Sequence, residues 1–288
     1  MSQQTAATQT QQTGTRARTR RDPASVLATS SFSAGILLLP SELQRDARHL
    51  YYLLRTIDDL VDEGEPHAAE RVAAIELWSE GHETDTPEVK TLNTLSRRYP
   101  LSREAFRGFC AGMRHDLIGA TIETDAELLR YCEQAGGSVG IMLTCLLGTT
   151  HEDGAARMAT LGTAMQHTNI LRDIDEDRAN GRLYIPQSTI ARFGPPLPGR
   201  REQLLRHEIR QADTLYEQAH EAVQLLARGQ RAMALSTALY KEILRQIERD
   251  GFGRKKGVVK VPDWRKAGIA AEHHCYPSNS TRHTSSHR

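Results

Sequence analysis

Apolar residues recur at α-helical spacing along most of this chain, and this periodicity constrains its fold more than any other feature. The segment from about residue 42 to residue 63 illustrates the pattern. Its apolar positions are Leu43, Ala47, Leu50, Leu53, Leu54 and Ile57. Roughly eight such segments follow one another with short loops between them, and no strand ladder is indicated. We therefore predict an all-α fold, built as a single-domain helical bundle.

Residues that start and stop helices set the predicted boundaries. Ser41 is the predicted cap of the first long helix, Thr86 precedes a proline at a first helical position, and Thr124 with Glu127 forms a capping box. The predicted helices cover about residues 42–63, 67–80, 87–98, 102–117, 125–147, 153–179, 201–227 and 230–249.

Composition separates the two ends of the chain from its middle. Residues 1–22 are rich in Gln, Thr and Arg, and we predict a disordered tail there. The end of the chain, residues 261–288, is rich in His, Ser and Thr and is also predicted to be disordered. The folded domain is predicted to span residues 23–260.

Charge and hydropathy exclude several classes of function. Lys and Arg number 37 against 36 Asp and Glu, and a net charge of +1 does not favour nucleic acid as a partner. No run of 18 apolar residues is present, so we predict no membrane-spanning helix. Cys110, Cys132 and Cys145 lie in apolar helical sequence, which indicates reduced core thiols in a cytoplasmic protein.

Two acidic groups, about a hundred residues apart, carry the predicted chemistry. Asn169, Asp173 and Asp177 are spaced four apart, so they share one helical face, as do Asp58 and Asp62 on an earlier helix. Oxygen ligands in this pattern suit Mg²⁺, with Mn²⁺ as an alternative, and a substrate diphosphate would complete the coordination. Solvated acidic helix faces are the competing interpretation, and spacing alone leaves both open.

Arginines beside both acidic groups favour a diphosphate substrate. Arg55 lies one turn before Asp58, and Arg172 adjoins Asp173. A guanidinium binds phosphate oxygens in a bidentate manner. The predicted reaction is the ionisation of an allylic diphosphate to a carbocation inside an apolar helical cavity.

At these residues the chain resembles the squalene/phytoene synthase family. The motifs that carry the resemblance are Ser31-Phe32-Ser33, Leu38-Leu39-Pro40, Tyr51, Arg55, Asp58-Asp59, Asp62, Tyr131-Cys132, Gly137-Ser138-Val139-Gly140 and the segment from Gln166 to Pro186. The resemblance covers about residues 25 to 260, and its last motif is long and specific.

The resemblance implies an isoprenoid synthase fold with a central active-site cavity. It implies that the metal ions are held by Asp58, Asp62, Asn169, Asp173 and Asp177. It further implies that the diphosphates are bound by Arg55, Gln166, Arg172, Ser31 and Tyr240, and that Tyr131, Tyr51 and Arg55 are catalytic. On helices, Tyr51 and Tyr240 could equally be core packing.

The expected reaction is head-to-head condensation of two prenyl diphosphates through a cyclopropylcarbinyl diphosphate. A phytoene synthase type of reaction needs no NADPH, whereas a squalene synthase type consumes it. The apolar product makes peripheral membrane contact an expectation as well. Asp116 also matches a family acid, either as support for the metal site or as a helix cap.

Several departures from the family pattern keep an alternative open. Glu133 and His167 replace more usual residues, and the connection after Pro186 is short. Either side chain could orient a small aromatic acceptor, so transfer of a dimethylallyl or geranyl group to such an acceptor is the alternative function. Gly257 stands where an arginine is common, and the neighbouring basic residues Arg254, Lys255 and Lys256 could replace it. A third alternative is a helical scaffold without activity.

Glycines in the predicted apolar helix allow two further interpretations. Gly136, Gly137 and Gly140 weaken that helix relative to alanine. They either let a prenyl chain approach the backbone closely or let two helices pack tightly.

Overall fold

The computed structural model describes residues 35–274, and the part of the chain that it describes is helical, without strands. The helices are α1 (Ser41–Asp62), α2 (Ala68–Glu80), α3 (Pro87–Ser96), α4 (Arg103–Leu117), α5 (Asp125–Cys132), α6 (Ser138–Leu147), α7 (Gly154–Ala179), α8 (Gln187–Phe193), α9 (Glu202–Gln218), α10 (Gln230–Arg249) and α11 (Asp263–His274). The all-α prediction is confirmed. Between residues 35 and 274, each helix is too short or too polar to cross a membrane.

Capping side chains begin three of the helices where the sequence predicts them. The hydroxyl oxygens of Thr86, Ser102 and Thr124 accept backbone N–H bonds at the starts of α3, α4 and α5. These bonds satisfy donors that the first helical turn leaves unpaired. Ser41 differs, because α1 has Pro40 at its cap position and no side-chain cap.

The predicted helix from residue 125 to residue 147 contains a π-helical turn. Residues Glu133–Gly137 adopt this wider turn between α5 and α6. Such turns insert one residue into a helix and occur often near functional sites. Here the turn packs against both α4 and α7.

Helix α7 lies at the centre of the bundle, where it packs against α6, α9, α10 and the π-helical turn. Glycines make the closest approach possible. A Cβ atom on Gly140 would lie 2.1 Å from the backbone oxygen of Met158, and one on Gly136 would lie 2.5 Å from the backbone oxygen of Gly162. These glycines therefore serve tight helix packing, the second of the two interpretations. Gly162 of α7, which faces Gly136 across this contact, was not predicted from the sequence.

The second half of the chain departs from the predicted boundaries in three places. The predicted helix 201–227 ends at Gln218, and turns follow up to Leu226, which forms a bridge with Thr149. The short helix α8 was not predicted. The predicted tail from residue 261 begins instead with α11, because Pro262 and Asp263 supply a helix start and α11 packs against α10. Residues 1–34 and 275–288, including the rest of both predicted tails, lie outside the described residues.

Candidate active site

The first acidic group lies on the last two turns of α1. Arg55 places one nitrogen 2.8 Å from Asp58 and another 2.6 Å from Asp59. Burial, together with repulsion from Asp62, Asp59 and Asp116, raises the pKa of Asp58 to about 7 against the opposing effect of Arg55. Burial also raises the pKa of Asp62. Their side chains are nevertheless partly exposed, 37% for Asp58 and 43% for Asp62, so a cation could reach both and offset their repulsion.

The second acidic group lies on α7 as its spacing predicts. Arg172 donates to the carboxylate of Asp173 at 2.8 Å. Burial raises the pKa of Asp177 to about 8, followed by repulsion from Asp173 and from Asp62 on the other helix. The side-chain oxygen of Asn169 is buried and accepts no hydrogen bond. Asp173 on this face therefore has a positive partner, whereas the oxygen of Asn169 has none.

The two groups face one another across the site. Asp62 on α1 acts electrostatically on Asp177 on α7 and raises its pKa. Arg182, in the turn after α7, pairs with Asp62 and donates to the backbone oxygen of Val61 at 2.8 Å. This oxygen-rich donor set fits hard divalent cations, which take carboxylate and amide oxygens as ligands.

A carboxylate with two tyrosines extends the site towards α4. Asp116 accepts hydrogen bonds from Tyr131 at 2.9 Å and from Tyr184 at 2.8 Å. The two phenol rings stack with their centroids 4.9 Å apart. Burial and the charge of Asp116 raise the pKa of both phenols, so both stay protonated. Asp116 also acts on the pKa of Asp58 and Asp62, which places it beside the acidic group of α1.

Tyr240 on α10 lies beside the acidic face of α7. It is buried, burial raises its pKa, and Arg172 and a hydrogen bond to Asn169 lower it. Tyr51 is close enough to raise the pKa of Tyr240 and packs partly against the core. The amide of Gln166 accepts a long hydrogen bond from Asn169 at 3.5 Å. Arg172 therefore lies between the acidic face and Tyr240.

A buried ion pair between Arg201 and Asp175 lies on the side of α7 away from Asp173, and backbone hydrogen bonds attach the C-terminal segment at the same place. Arg201 is only 2% exposed, and two of its nitrogens lie 2.7 Å from the two oxygens of Asp175. Asp175 also accepts the backbone N–H of Gly257 at 2.8 Å, and the N–H of Val259 donates to the carbonyl of Arg172 at 3.3 Å. The basic residues Arg254, Lys255 and Lys256 of this segment are exposed.

The two residues that suggested an aromatic acceptor lie away from the acidic faces. His167 is buried and pairs with Glu208 of α9 at 2.8 Å, on the side of α7 opposite Asn169. Glu133 is exposed. The positions of His167 and Glu133 therefore do not support transfer of a prenyl group to an aromatic acceptor. Ser31 lies outside the described residues, so its predicted diphosphate contact stays a prediction.

Arg182 and Tyr184 are site residues that the sequence reasoning did not single out. Both belong to the motif from Gln166 to Pro186, where a basic and an aromatic residue follow the Asn180-Gly181 turn. Their position just beyond the acidic helix was the available signal. What each contacts on α1 and α4 depends on tertiary packing.

Comparisons with known proteins agree with this geometry. Residues 27–265 match the family model described as squalene/phytoene synthase. The chain is 31% identical to a 15-cis-phytoene synthase of Synechococcus elongatus, over 82% of this chain and 85% of that one. It is 33% identical to a phytoene synthase of Thermus thermophilus, over 83% of this chain and 86% of that one.

A solved dehydrosqualene synthase in complex with a ligand has the same fold, with a TM-score of 0.77 at 27% identity. The match covers 88% of this chain and 93% of the dehydrosqualene synthase. A squalene synthase from Alicyclobacillus acidocaldarius, at 23% identity and a TM-score of 0.69, supports the fold alone; 81% of this chain and 95% of that one are covered. Members of the matching family use divalent metal ions. The chain is a prenyltransferase and belongs to the squalene/phytoene synthase family.

Proposed function

We propose that the enzyme condenses two allylic prenyl diphosphates head to head, in a reaction that depends on Mg²⁺, for which Mn²⁺ can substitute. The observation that carries this proposal is the placement of the two acidic groups: Arg182, in the turn directly after α7, pairs with Asp62 of α1, and Asp62 in turn acts on the pKa of Asp177. Two such faces bring more carboxylates together than the neighbouring arginines neutralise, and bound cations would offset the remaining cost. The relatives named phytoene synthase support the head-to-head reaction.

The acidic faces would hold the metal ions and, through them, the two diphosphates. Metal ligands in this proposal are Asp58, Asp62, Asn169, Asp173 and Asp177. Bound Mg²⁺ would supply positive charge to the leaving diphosphate as its C–O bond breaks. Arg55, Gln166 and Arg172 would bind diphosphate oxygens once they exchange their present partners for the substrate. Tyr240 would orient Arg172 and Asn169 from the side of α10.

The Asp116–Tyr131–Tyr184 group would act on the carbon skeleton. When the donor ionises, the diphosphate leaves with the electron pair and an allylic cation remains, which the stacked rings of Tyr131 and Tyr184 can stabilise. This cation adds to the double bond of the second substrate, and loss of a proton closes a cyclopropane ring in an intermediate that keeps the second diphosphate. That diphosphate then leaves in turn, and rearrangement with loss of a second proton gives the hydrocarbon. A phenol in hydrogen-bond contact with Asp116 is placed to relay that proton. Tyr51 would line the same cavity beside Tyr240.

The assay uses purified enzyme with Mg²⁺ and either farnesyl or geranylgeranyl diphosphate, with and without NADPH. We expect a hydrocarbon with twice the carbon number of one donor, formed without NADPH. Asp173→Ala and Asp62→Ala should lose turnover and keep the helical content of the wild type. Glu176→Ala, on the exposed side of α7, is the control and should keep turnover. Absence of such a product with both donors, or full activity in Asp173→Ala, would disprove the proposal.

A further inference from the structure

We propose that Asp125, His207 and Glu208 form a site for a divalent transition-metal ion such as Zn²⁺, separate from the acidic faces. Each residue offers one ligand atom, and these atoms all lie within 4.8 Å of one another. His207 Nε2 lies 3.5 Å from Asp125 Oδ2. Ligand bonds of about 2.0–2.1 Å in a tetrahedral zinc site place ligand atoms roughly 3.4 Å apart, so this pair already has the required spacing.

Glu208 provides an independent indication of a bound cation. Its side chain is only 1% exposed, and its Oε2 lies 2.8 Å from His167 Nε2. The other oxygen, Oε1, is buried without any hydrogen-bond partner. A buried carboxylate oxygen without a partner is costly, and a cation at that position would remove the cost. His167 would then support Glu208 from behind, as second partners commonly do for metal ligands.

The space for an ion is present beside these residues. A cavity of about 290 Å³ lies between α5, α7 and α9 and is lined by Asp125, Glu208 and His167 together with apolar side chains such as Leu128 and Leu215. This volume accommodates an ion and a water molecule as a fourth ligand. The site is therefore open on the side that faces the cavity.

The ligand types select the kind of metal. Thr189 of α8 donates to Asp125 Oδ1 at 3.0 Å, which leaves Oδ2 directed to His207. An imidazole nitrogen beside two carboxylates suits Zn²⁺ and related transition metals, whereas Mg²⁺ prefers oxygen ligands alone. Since Asp125 begins α5 and His207 lies on α9, a bound ion would also join these two helices.

The test uses the untagged full-length enzyme after chelator treatment, with Mg²⁺ in excess to saturate oxygen-only sites. Zn²⁺ is then titrated, and binding is followed by calorimetry and by the rise in Tm. We expect one Zn²⁺ per chain. His207→Ala and Asp125→Asn should each weaken binding at least about tenfold and reduce the rise in Tm. His220→Ala, which removes an exposed histidine beside Glu221, is the matched control and should bind like the wild type.

Co²⁺ gives a readout that does not depend on any variant. Bound to the wild type in excess Mg²⁺, it should show the intense visible absorption of a tetrahedral site, whereas an octahedral all-oxygen site absorbs weakly. Absence of that absorption, absence of Zn²⁺ binding in excess Mg²⁺, or undiminished binding in folded His207→Ala would overturn the proposal. In each of those cases the His207–Asp125 contact is a side-chain contact without a metal ion.

Discussion

The substitution Gly140→Ala tests how closely α6 and α7 must pack. The added Cβ would lie 2.1 Å from the backbone oxygen of Met158, whereas ordinary contacts begin at 3.4 Å. The two helices must therefore separate by about 1.3 Å, because a backbone oxygen cannot rotate away. Overpacking of this kind costs about 1–3 kcal/mol, and the blocked backbone places this case at the upper end.

The higher helix propensity of alanine offsets part of that cost, because alanine is more favourable than glycine inside a helix by up to about 1 kcal/mol. We expect a net loss of about 2 kcal/mol in the free energy of unfolding, which lowers Tm by roughly 4–8 °C. Met158 lies on α7, the helix that carries Asn169, Asp173 and Asp177. Because a misplacement of about 1 Å can cost about 100-fold in rate, turnover should fall at least about tenfold.

Gly108→Ala is the matched control, because a Cβ on Gly108 would lie at an ordinary 3.5 Å from Ser138 Cβ. That variant should be as stable as the wild type or more stable by up to about 1 kcal/mol. Denaturant unfolding measures the change in the free energy of unfolding, and the rate of prenyl transfer at a saturating donor concentration measures the change in turnover. If Gly140→Ala unfolds and turns over like the wild type, the packing argument is wrong and the glycine has another role.

Three further predictions concern charge. Asp175→Asn leaves buried Arg201 without its counter-ion and should lower the free energy of unfolding by about 3–5 kcal/mol in chemical denaturation, far more than any exposed pair. Burial and like charges raise the pKa of Asp58 to about 7 and of Asp177 to about 8. The metal-free fold therefore loses stability as pH rises from about 4, where these carboxyls ionise in the unfolded chain, to about 7–8, where they ionise in the folded one. Because Mg²⁺ binds the ionised carboxylates, the gain in Tm from Mg²⁺ should increase from about pH 6 to about pH 8. Asp116→Asn should lower kcat about 10–100-fold, because one charge-assisted acceptor supports both phenols, and helical content should not change.

The helices and the acidic faces could be predicted from the sequence because both depend on local spacing. Thr124 caps α5 as predicted, and Asp173 and Asp177 share a face because α7 is continuous from residue 154 to residue 179. The predicted diphosphate contacts of Arg55 and Arg172 remain predictions, although each arginine lies beside its acidic group.

Contacts between distant segments could not be predicted in this way. Asp175 lies inside the acidic motif, yet its carboxylate is turned to Arg201 and away from the predicted metal-binding face. His167 suggested a role towards an acceptor, but its partner, Glu208, lies 41 residues further along the chain. The sequence contains no local signal for either pairing, because each depends on how α9 and the segment after α8 pack against α7.

The position of the acidic face of α7 therefore depends on contacts made by its other faces. Successive residues of a helix point about 100° apart, so Asp173 and Asp175 point in nearly opposite directions. Arg201 holds α7 by its ion pair with Asp175, on the side of the helix away from Asp173. The contact of Gly140 with Met158 sets the distance between α6 and α7. Neither contact touches the predicted substrate. Because diphosphate ionisation requires ligands held on rigid elements, loss of either contact should impair turnover even though every predicted metal ligand is present.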